Sequence, residues 1–100
     1  DKLIAYPNPS RGEVWFKLNH NLFDGTLEVE MSIYSTTGEL VRLMEPVKVV
    51  SDGYTSSEIY WDGRLYDGSQ ARAGLYLCRV KVRDRNGNIS SETAKVIIAR

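Results

Sequence analysis

The stretch WDGRLYDGSQARAGLYLCRV, from Trp61 to Val80, decides how this chain folds. It contains two Asp-Gly pairs, which are common turn residues because Asp can hydrogen-bond nearby backbone and Gly accepts a positive φ. Its second half alternates, so that Tyr76, Cys78 and Val80 share one face of a strand. The stretch therefore predicts turns that lead into a strand with one buried face.

The same period of two recurs along most of the chain, in TLEVEMSIY, EVWFKLN and SETAKVIIA. No stretch keeps a 3.6-residue period over three turns, so the pattern favours strands over helices. The residues predicted to face the core are Leu27, Val29, Met31 and Ile33, then Val14, Phe16 and Leu18, then Tyr76, Cys78, Val80 and Val82, and finally Ala94, Val96 and Ile98.

Turn signals separate these strands. PNPSRG (7–12) predicts a rigid corner, because two prolines fix φ, and FDGT (23–26) and STTGE (35–39) predict hairpin turns. RNGN (85–88) predicts a type I′ turn that joins the last two strands. Pro46 ends or bulges a strand, and residues 48–57 form either a strand with a loop or two short edge strands.

About seven strands result, and we predict an all-β immunoglobulin-like antiparallel β-sandwich, with an up-and-down barrel as the alternative. The 100 residues are enough for one domain, 1–100. The opening residues lack the pattern of a basic segment followed by an apolar run that is typical of a secretory signal peptide, and we expect the chain to be a domain cut from a longer polypeptide.

The composition excludes several classes of function. Lys and Arg together number 13, as do Asp and Glu, so the balance does not favour a nucleic-acid or membrane-surface binder. No apolar run is long enough for direct insertion into a membrane as a helix. With one cysteine, the chain can form neither an internal disulfide nor a multi-cysteine zinc site.

Two groups of residues could carry chemistry. Cys78 with His20 could be a nucleophile and base, but Cys78 is in phase with apolar residues, which indicates a core residue. The pairs Asp24-Gly25, Asp52-Gly53, Asp62-Gly63 and Asp67-Gly68 could hold calcium, but lack EF-hand spacing and are common in turns. We therefore expect no catalytic, cofactor-binding or metal-binding residue.

Two kinds of surface residue could bind a partner. The aromatic residues that could line a carbohydrate or peptide groove are Trp15, Tyr34, Tyr54, Tyr60 and Tyr66, although packing explains them as well. Arg79, Lys81 and Arg83 form a basic face. The acidic residues Glu28, Glu30 and Glu58 elsewhere in the chain balance it, so cross-strand ion pairing or a plain solvated face explains it without a nucleic acid.

Taken in order, the motifs resemble a known family. They are YPNPSRG, the strand and turn VEMSIYSTTGELVR, the segment WDGRLYDGSQARAGLYLCRVKV, an Asn-Gly hairpin and the terminal AKVIIAR. This order and spacing resemble the C-terminal signal domain of type IX secretion cargo in Bacteroidetes, and the related immunoglobulin-like domain of flagellar hook-capping proteins. The motif residues are Pro7, Asn8, Pro9, Gly12, Gly38, Trp61, Gly63, Gly68, Gly74 and Tyr76.

The resemblance implies a non-catalytic tag without a cofactor. Its expected partners are the type IX secretion proteins, including an outer-membrane shuttle barrel, and its expected destination is the cell surface or outer membrane after passage through the periplasm. In ordinary cargo a cysteine-peptidase sortase removes the tag. Many cargo tags are shorter in the middle, whereas the full WDG…AGLY segment of this chain is more like that of the hook-capping relatives. This difference favours a domain that is retained and not cleaved, and the sortase component itself is one protein that would carry such a domain.

The terminal strand is the expected recognition element, because sheet edges recruit partner strands and this one lies at the chain end. Its residues are Lys95, Val96, Ile97, Ile98, Ala99 and Arg100. An ordinary core strand with flanking charges explains the same pattern. The alternative function is a structural immunoglobulin-like spacer, of adhesin or hook-capping type.

Overall fold

A computed structural model describes residues 2–19, 24–52 and 58–100 and shows eight strands. The strands are β1 (Lys2–Tyr6), β2 (Val14–Asn19), β3 (Asp24–Ser35), β4 (Leu40–Leu43), β5 (Val47–Asp52), β6 (Ile59–Trp61), β7 (Gly74–Arg83) and β8 (Ile89–Ile98). The part of the chain that is described contains no helix long and apolar enough to cross a membrane.

The strands form two antiparallel sheets that face each other. One sheet has the order β1-β2-β6, and the other has the order β4-β3-β7-β8, with β5 also paired to β3. These orders correspond to the A-B-E and C′-C-F-G sheets of immunoglobulin domains. The predicted all-β sandwich is therefore confirmed, with eight strands in place of about seven.

The extra strand lies in the segment that the sequence left open. β5 pairs with the first half of β3, from Asp24 opposite Asp52 to Val29 opposite Val47, while β4 pairs with its second half. Both short strands thus occupy the same edge of the long strand β3. Pro46 lies between them, where no ladder hydrogen bond is required of it.

The alternation of apolar residues sets the core, as predicted. The inward residues of β2, β3 and β7 are buried, as are Val96 and Ile98 of β8, while Ala94 packs against them half-buried. Among the described residues, Trp61 and Phe16 are the largest side chains that are fully buried. Since these residues meet between the two sheets, the core is the interface of the sandwich.

The turn that the sequence predicts at residues 23–26 is wrong. Asp24, Gly25 and Thr26 are not a turn but the start of β3, because β5 supplies a ladder partner to each of them. Phe23, the first residue of that predicted turn, lies outside the described residues. The turn at residues 35–39 is confirmed, with the Gly38 amide bonded to the Ser35 carbonyl and φ at 86°.

The final hairpin joins β7 and β8 as predicted, but its turn is not type I′. That turn needs positive φ at two central residues, and only Gly87 here has it, at 83°. The Gly87 amide bonds to the Asp84 carbonyl, which closes a turn over residues 84–87. The Asp84 carboxylate accepts the amides of Asn86 and Asn88, and this geometry holds Asn86 in its ordinary negative φ.

Candidate functional site

The PNPSRG corner lies along the outer edge of β8. The side chain of Asn8 donates to the carbonyl of Lys95 (2.8 Å) and accepts from the amide of Ile97 (2.9 Å). The backbone of Ser10 continues this pairing. Its amide donates to the Ile97 carbonyl (2.8 Å), and its carbonyl accepts from the Ala99 amide (2.7 Å). The corner therefore occupies the edge of β8 from residue 95 to residue 99.

Local bonds hold this corner in shape. The hydroxyl of Ser10 accepts the Gly12 amide (3.0 Å) and donates to the Glu13 carbonyl, and Ser10 is buried. Both proline bonds, Tyr6–Pro7 and Asn8–Pro9, are cis. The family motif residues at 7–9 are thus the residues that turn the chain from β1 onto the edge of β8.

Gly12, Gly63 and Arg100 meet at the base of the corner. A Cβ added to Gly63 would lie 2.5 Å from the carbonyl oxygen of Gly12, and Gly63 has a φ of 78°. The guanidinium of Arg100 lies over Gly12 and donates to the Ala71 carbonyl through Nε (2.7 Å). This contact ties the corner, the WDG loop and the chain end together.

The two Asp-Gly pairs of the opening stretch are turn devices, as predicted. Asp62 Oδ1 accepts the Arg64 amide (2.9 Å) and pairs with Arg42 (3.2 Å). In the next turn, Asp67 Oδ1 accepts both the amide and the hydroxyl of Ser69. These hydrogen bonds, the hydroxyl first, lower the pKa of the Asp67 carboxyl below its ordinary value.

Trp61 and Tyr76 pack against each other at the corner that precedes β7. Their rings meet edge to face, with centroids 6.0 Å apart, and the Trp61 indole donates to the Arg64 carbonyl (3.0 Å). The Tyr76 hydroxyl donates to the Arg72 carbonyl (2.8 Å) just before β7. This is the tyrosine corner of immunoglobulin domains, in which a tyrosine near the start of strand F bonds to the upstream backbone.

Cys78 is a core residue, as predicted. It is fully buried, and burial raises the pKa of its thiol to about 12, so the group is not a thiolate at neutral pH. Its proposed partner His20 lies outside the described residues. Across residues 2–19, 24–52 and 58–100, no three His, Cys, Asp or Glu side chains converge as metal ligands would.

The six terminal residues divide into two sets. Val96 and Ile98 are buried in the core, whereas Lys95, Ile97, Ala99 and Arg100 are exposed. Their backbone edge is covered by the corner, which the sequence did not reveal. Asn8 was recognisable as a motif residue, but its bonds join positions 87 and 89 residues apart in sequence.

The aromatic residues do not form the single groove that the sequence suggested. Trp15 and Tyr60 are cross-strand neighbours with ring centroids 5.2 Å apart, and Tyr6, which the sequence analysis missed, lies opposite Trp15. Tyr34 lies in the other sheet and Tyr66 in the hairpin after the WDG loop, while Tyr54 is outside the described residues.

A groove of about 690 Å³ adjoins Trp15 and Tyr60. Arg11, Arg64 and Arg100 line it, together with carboxylates. Burial by neighbouring groups and the carboxylate of Glu13 raise the pKa of Tyr60. The groove is thus a polar cleft beside an aromatic row.

Comparison with known proteins assigns the fold to a family. The sequence model of the secretion system C-terminal sorting domain matches residues 4–99, and the chain belongs to this family. It is a non-catalytic sorting domain of the type IX secretion system, which interacts with proteins of the secretion machinery. Proteins that carry it are exported to the region of the cell surface and outer membrane.

A solved structure agrees with this assignment. The chain is similar to a part of dimeric latent PorU from Porphyromonas gingivalis, at 33% identity and a TM-score of 0.71. The similarity covers 95% of this chain and 9% of the PorU chain. No curated protein matches the sequence.

Proposed function

We propose that residues 1–100 are the C-terminal sorting domain of a longer exported protein, and that an outer-membrane shuttle barrel is among the proteins that bind it. The family match over residues 4–99 carries this proposal. The likeness to a small part of the PorU chain supports a domain attached to a larger protein. The destination of the whole protein is then the cell surface.

Recognition involves the terminal residues 95–100. Lys95 and Ile97 present their side chains on the outside of β8, where a partner can reach them in the folded domain. Val96 and Ile98 contribute indirectly, because their burial fixes the position of the strand. Arg100 holds the chain end against Ala71.

The domain is retained after export. Arg100 and Gly12 bind the chain end and the corner to the WDG loop, so the long segment between β6 and β7 is part of one folded unit. The likeness to a part of PorU, a component of type IX secretion, supports a domain that stays attached to its protein. Detection of residues 1–100 on the mature surface protein by mass spectrometry would support retention, and their loss would refute it.

A reporter fusion tests the proposed function. Residues 1–100 are placed at the C-terminus of a periplasmic reporter in a cell with type IX secretion, and the surface fraction is measured. We expect export, which the deletion of residues 95–100 abolishes. A reporter that stays in the periplasm would leave the structural spacer as the better account.

A glycan-binding module is a second candidate, because Tyr6, Trp15 and Tyr60 form one row across three strands beside the cleft. Aromatic faces can pack against sugar rings, and arginines can bind hydroxyl or acidic groups. A glycan array with the purified domain, and with Trp15→Ala as its control, tests this candidate. Binding that is lost in the variant would support it, and an array without binding would dispose of it.

A further inference from the structure

Strand addition at the end of β8 is blocked in the folded domain. Asn8 and Ser10 already bond the outward backbone groups of Lys95, Ile97 and Ala99. A partner strand would have to break four hydrogen bonds and lift the whole corner. Because unmade hydrogen bonds of this kind are costly, a partner needs a binding surface other than this backbone edge.

The outer face of the five-stranded sheet provides one. Lys95 lies opposite Leu77, which lies opposite Tyr34, and Ile97 lies opposite Leu75. These side chains alternate with the buried residues of their strands and so point away from the core. Ile97 is 46% exposed and Leu75 is 37% exposed, although both are apolar.

The apolar surface continues across the sheet to β4. Leu40 lies opposite Tyr34 and Leu43 opposite Ser32, and both leucines are exposed. With strands about 4.8 Å apart, a row over four strands is roughly 15 Å wide. We call this surface the apolar face, and its residues are Tyr34, Leu40, Leu43, Leu75, Leu77 and Ile97. Apolar surface that runs on across several strands is a common feature of interaction sites.

The charges beside the apolar face have one sign along β7 and β8. Lys95 borders it on β8, and Arg79 borders it in the next row of β7. The nearest carboxylates of β3 lie further along the sheet, with Glu30 opposite Lys81 and Glu28 opposite Arg83. An apolar surface with a cationic border fits a protein surface that is apolar at its centre and carries carboxylates at its rim.

We propose that the secretion protein that reads this domain docks on the apolar face, with carboxylates toward Lys95 and Arg79, and does not add a strand to the edge of β8. The proposal rests on the proposed function, and it names the surface through which that function is carried out. It gives the terminal segment a part in recognition although the outward backbone groups of Lys95, Ile97 and Ala99 are already bonded to the corner.

The reporter fusion described above tests this surface with matched variants. The double variant Leu75→Thr with Ile97→Thr removes apolar area but keeps strand-forming residues. Lys95→Glu reverses the border charge. The control is Ile89→Thr, since Ile89 is 51% exposed on the same strand and the same face, at its far end. Thermal melts of each purified domain check that it is folded.

We expect the double variant and Lys95→Glu to lower the surface fraction about tenfold, the effect of losing one strong contact, with melts close to that of the original domain. Ile89→Thr should be exported normally. If the original fusion is exported and the folded double variant is exported equally well, the docking surface is wrong while the sorting function stands. If the original fusion is not exported, the sorting function itself fails.

A proline at the open part of the same edge separates face docking from strand addition. Backbone groups of Lys95 and Ile97 point outward, away from β7. Since every second residue of a strand directs its backbone groups to the same edge, the amide of Thr93, two residues before Lys95, also points away from β7. Thr93→Pro removes that donor and is tolerated at a sheet edge. Normal export of this variant supports docking on the face, and loss of export by the folded variant overturns it.

A second copy of the chain is the other possible occupant of the apolar face. Analytical ultracentrifugation of the purified domain distinguishes it. A monomer supports the proposal, whereas a dimer that the double variant dissociates without any loss of export would overturn it.

Discussion

At the scale of single residues, the contact between Gly63 and Gly12 is the tightest constraint in the site. Gly63 combines a left-handed φ with a backbone carbonyl 2.5 Å from where its Cβ would be. Backbone cannot yield as a flexible side chain can. Glycine is therefore required at this position for two reasons: its φ is left-handed, and the Gly12 carbonyl leaves no space for a Cβ.

Gly63→Ala should destabilise the domain by about 3 kcal/mol or more, lowering Tm by more than about 10 °C. Gly68→Ala is the matched control, because Gly68 has a similar φ of 83° but no atom within 4 Å of its added Cβ. It should cost only the strain of about 1 to 2 kcal/mol. Equal melts for the two variants would show that the close contact with Gly12 does not form.

Cys78 should not react with a thiol reagent in the folded domain. With a pKa near 12, about one thiol in ten thousand is ionised at pH 8, and the side chain is buried. Reaction should become fast after unfolding in guanidinium chloride. Rapid reaction of the native domain at pH 8 would contradict the position given to Cys78.

The same thiol makes stability depend on alkaline pH. Its folded pKa is raised above the ordinary 9.0, so the folded state holds the proton more tightly than the unfolded state does. The contribution is fully present below pH 9 and declines between pH 9 and about 12, at up to about 1.4 kcal/mol per pH unit. Denaturant titrations should show that the original domain loses about 1.4 kcal/mol more stability than Cys78→Ala does between pH 8 and pH 10, and an equal loss in both would contradict the raised pKa.

At the scale of elements, the corner and β8 depend on each other. Asn8→Ala removes the bonds to Lys95 and Ile97 and should lower stability by about 1 kcal/mol. Hydrogen exchange should quicken at the Ile97 amide and stay slow at Val96, whose amide faces β7. Asn86→Ala, in the exposed β7–β8 turn, is the control and should leave both amides unchanged. Unchanged exchange at Ile97 in Asn8→Ala would refute the covered edge.

The faces of the strands could be predicted from sequence, and the pairing of their edges could not. Alternation is local, so the inward residues of β2, β3, β7 and β8 could be read directly from the pattern. The bonds of Asn8 span 87 and 89 residues and depend on how the two sheets pack. For the same reason the apolar face was not visible, because it needs the register of four strands.

Turn types were only partly predictable. The Asp-Gly pairs at 62–63 and 67–68 do form turns, because Asp bonds the amide two residues on. The same pair at 24–25 lies in β3, because β5 supplies ladder partners that cannot be predicted from the local sequence. Tertiary pairing thus overrides turn propensity where a neighbouring strand is present.

At the scale of the whole molecule, the structure is a sorting domain in which the end of the terminal strand is already paired within the domain. The terminal strand is paired with β7 along one side, the corner covers its other side from Lys95 onward, and Arg100 is bonded to the Ala71 carbonyl. The order of the motifs was enough to predict the family, which the match over residues 4–99 confirms. What the motif order could not give is which surface of the folded domain a partner meets.

The most direct test of the central claim is the accessibility of a reporter fused to residues 1–100 to protease added outside the cell. If the domain directs export, the reporter should be cleaved in a cell with type IX secretion and protected in an otherwise identical strain that lacks the outer-membrane translocon. Protection in both strains would contradict the claim that this domain directs export.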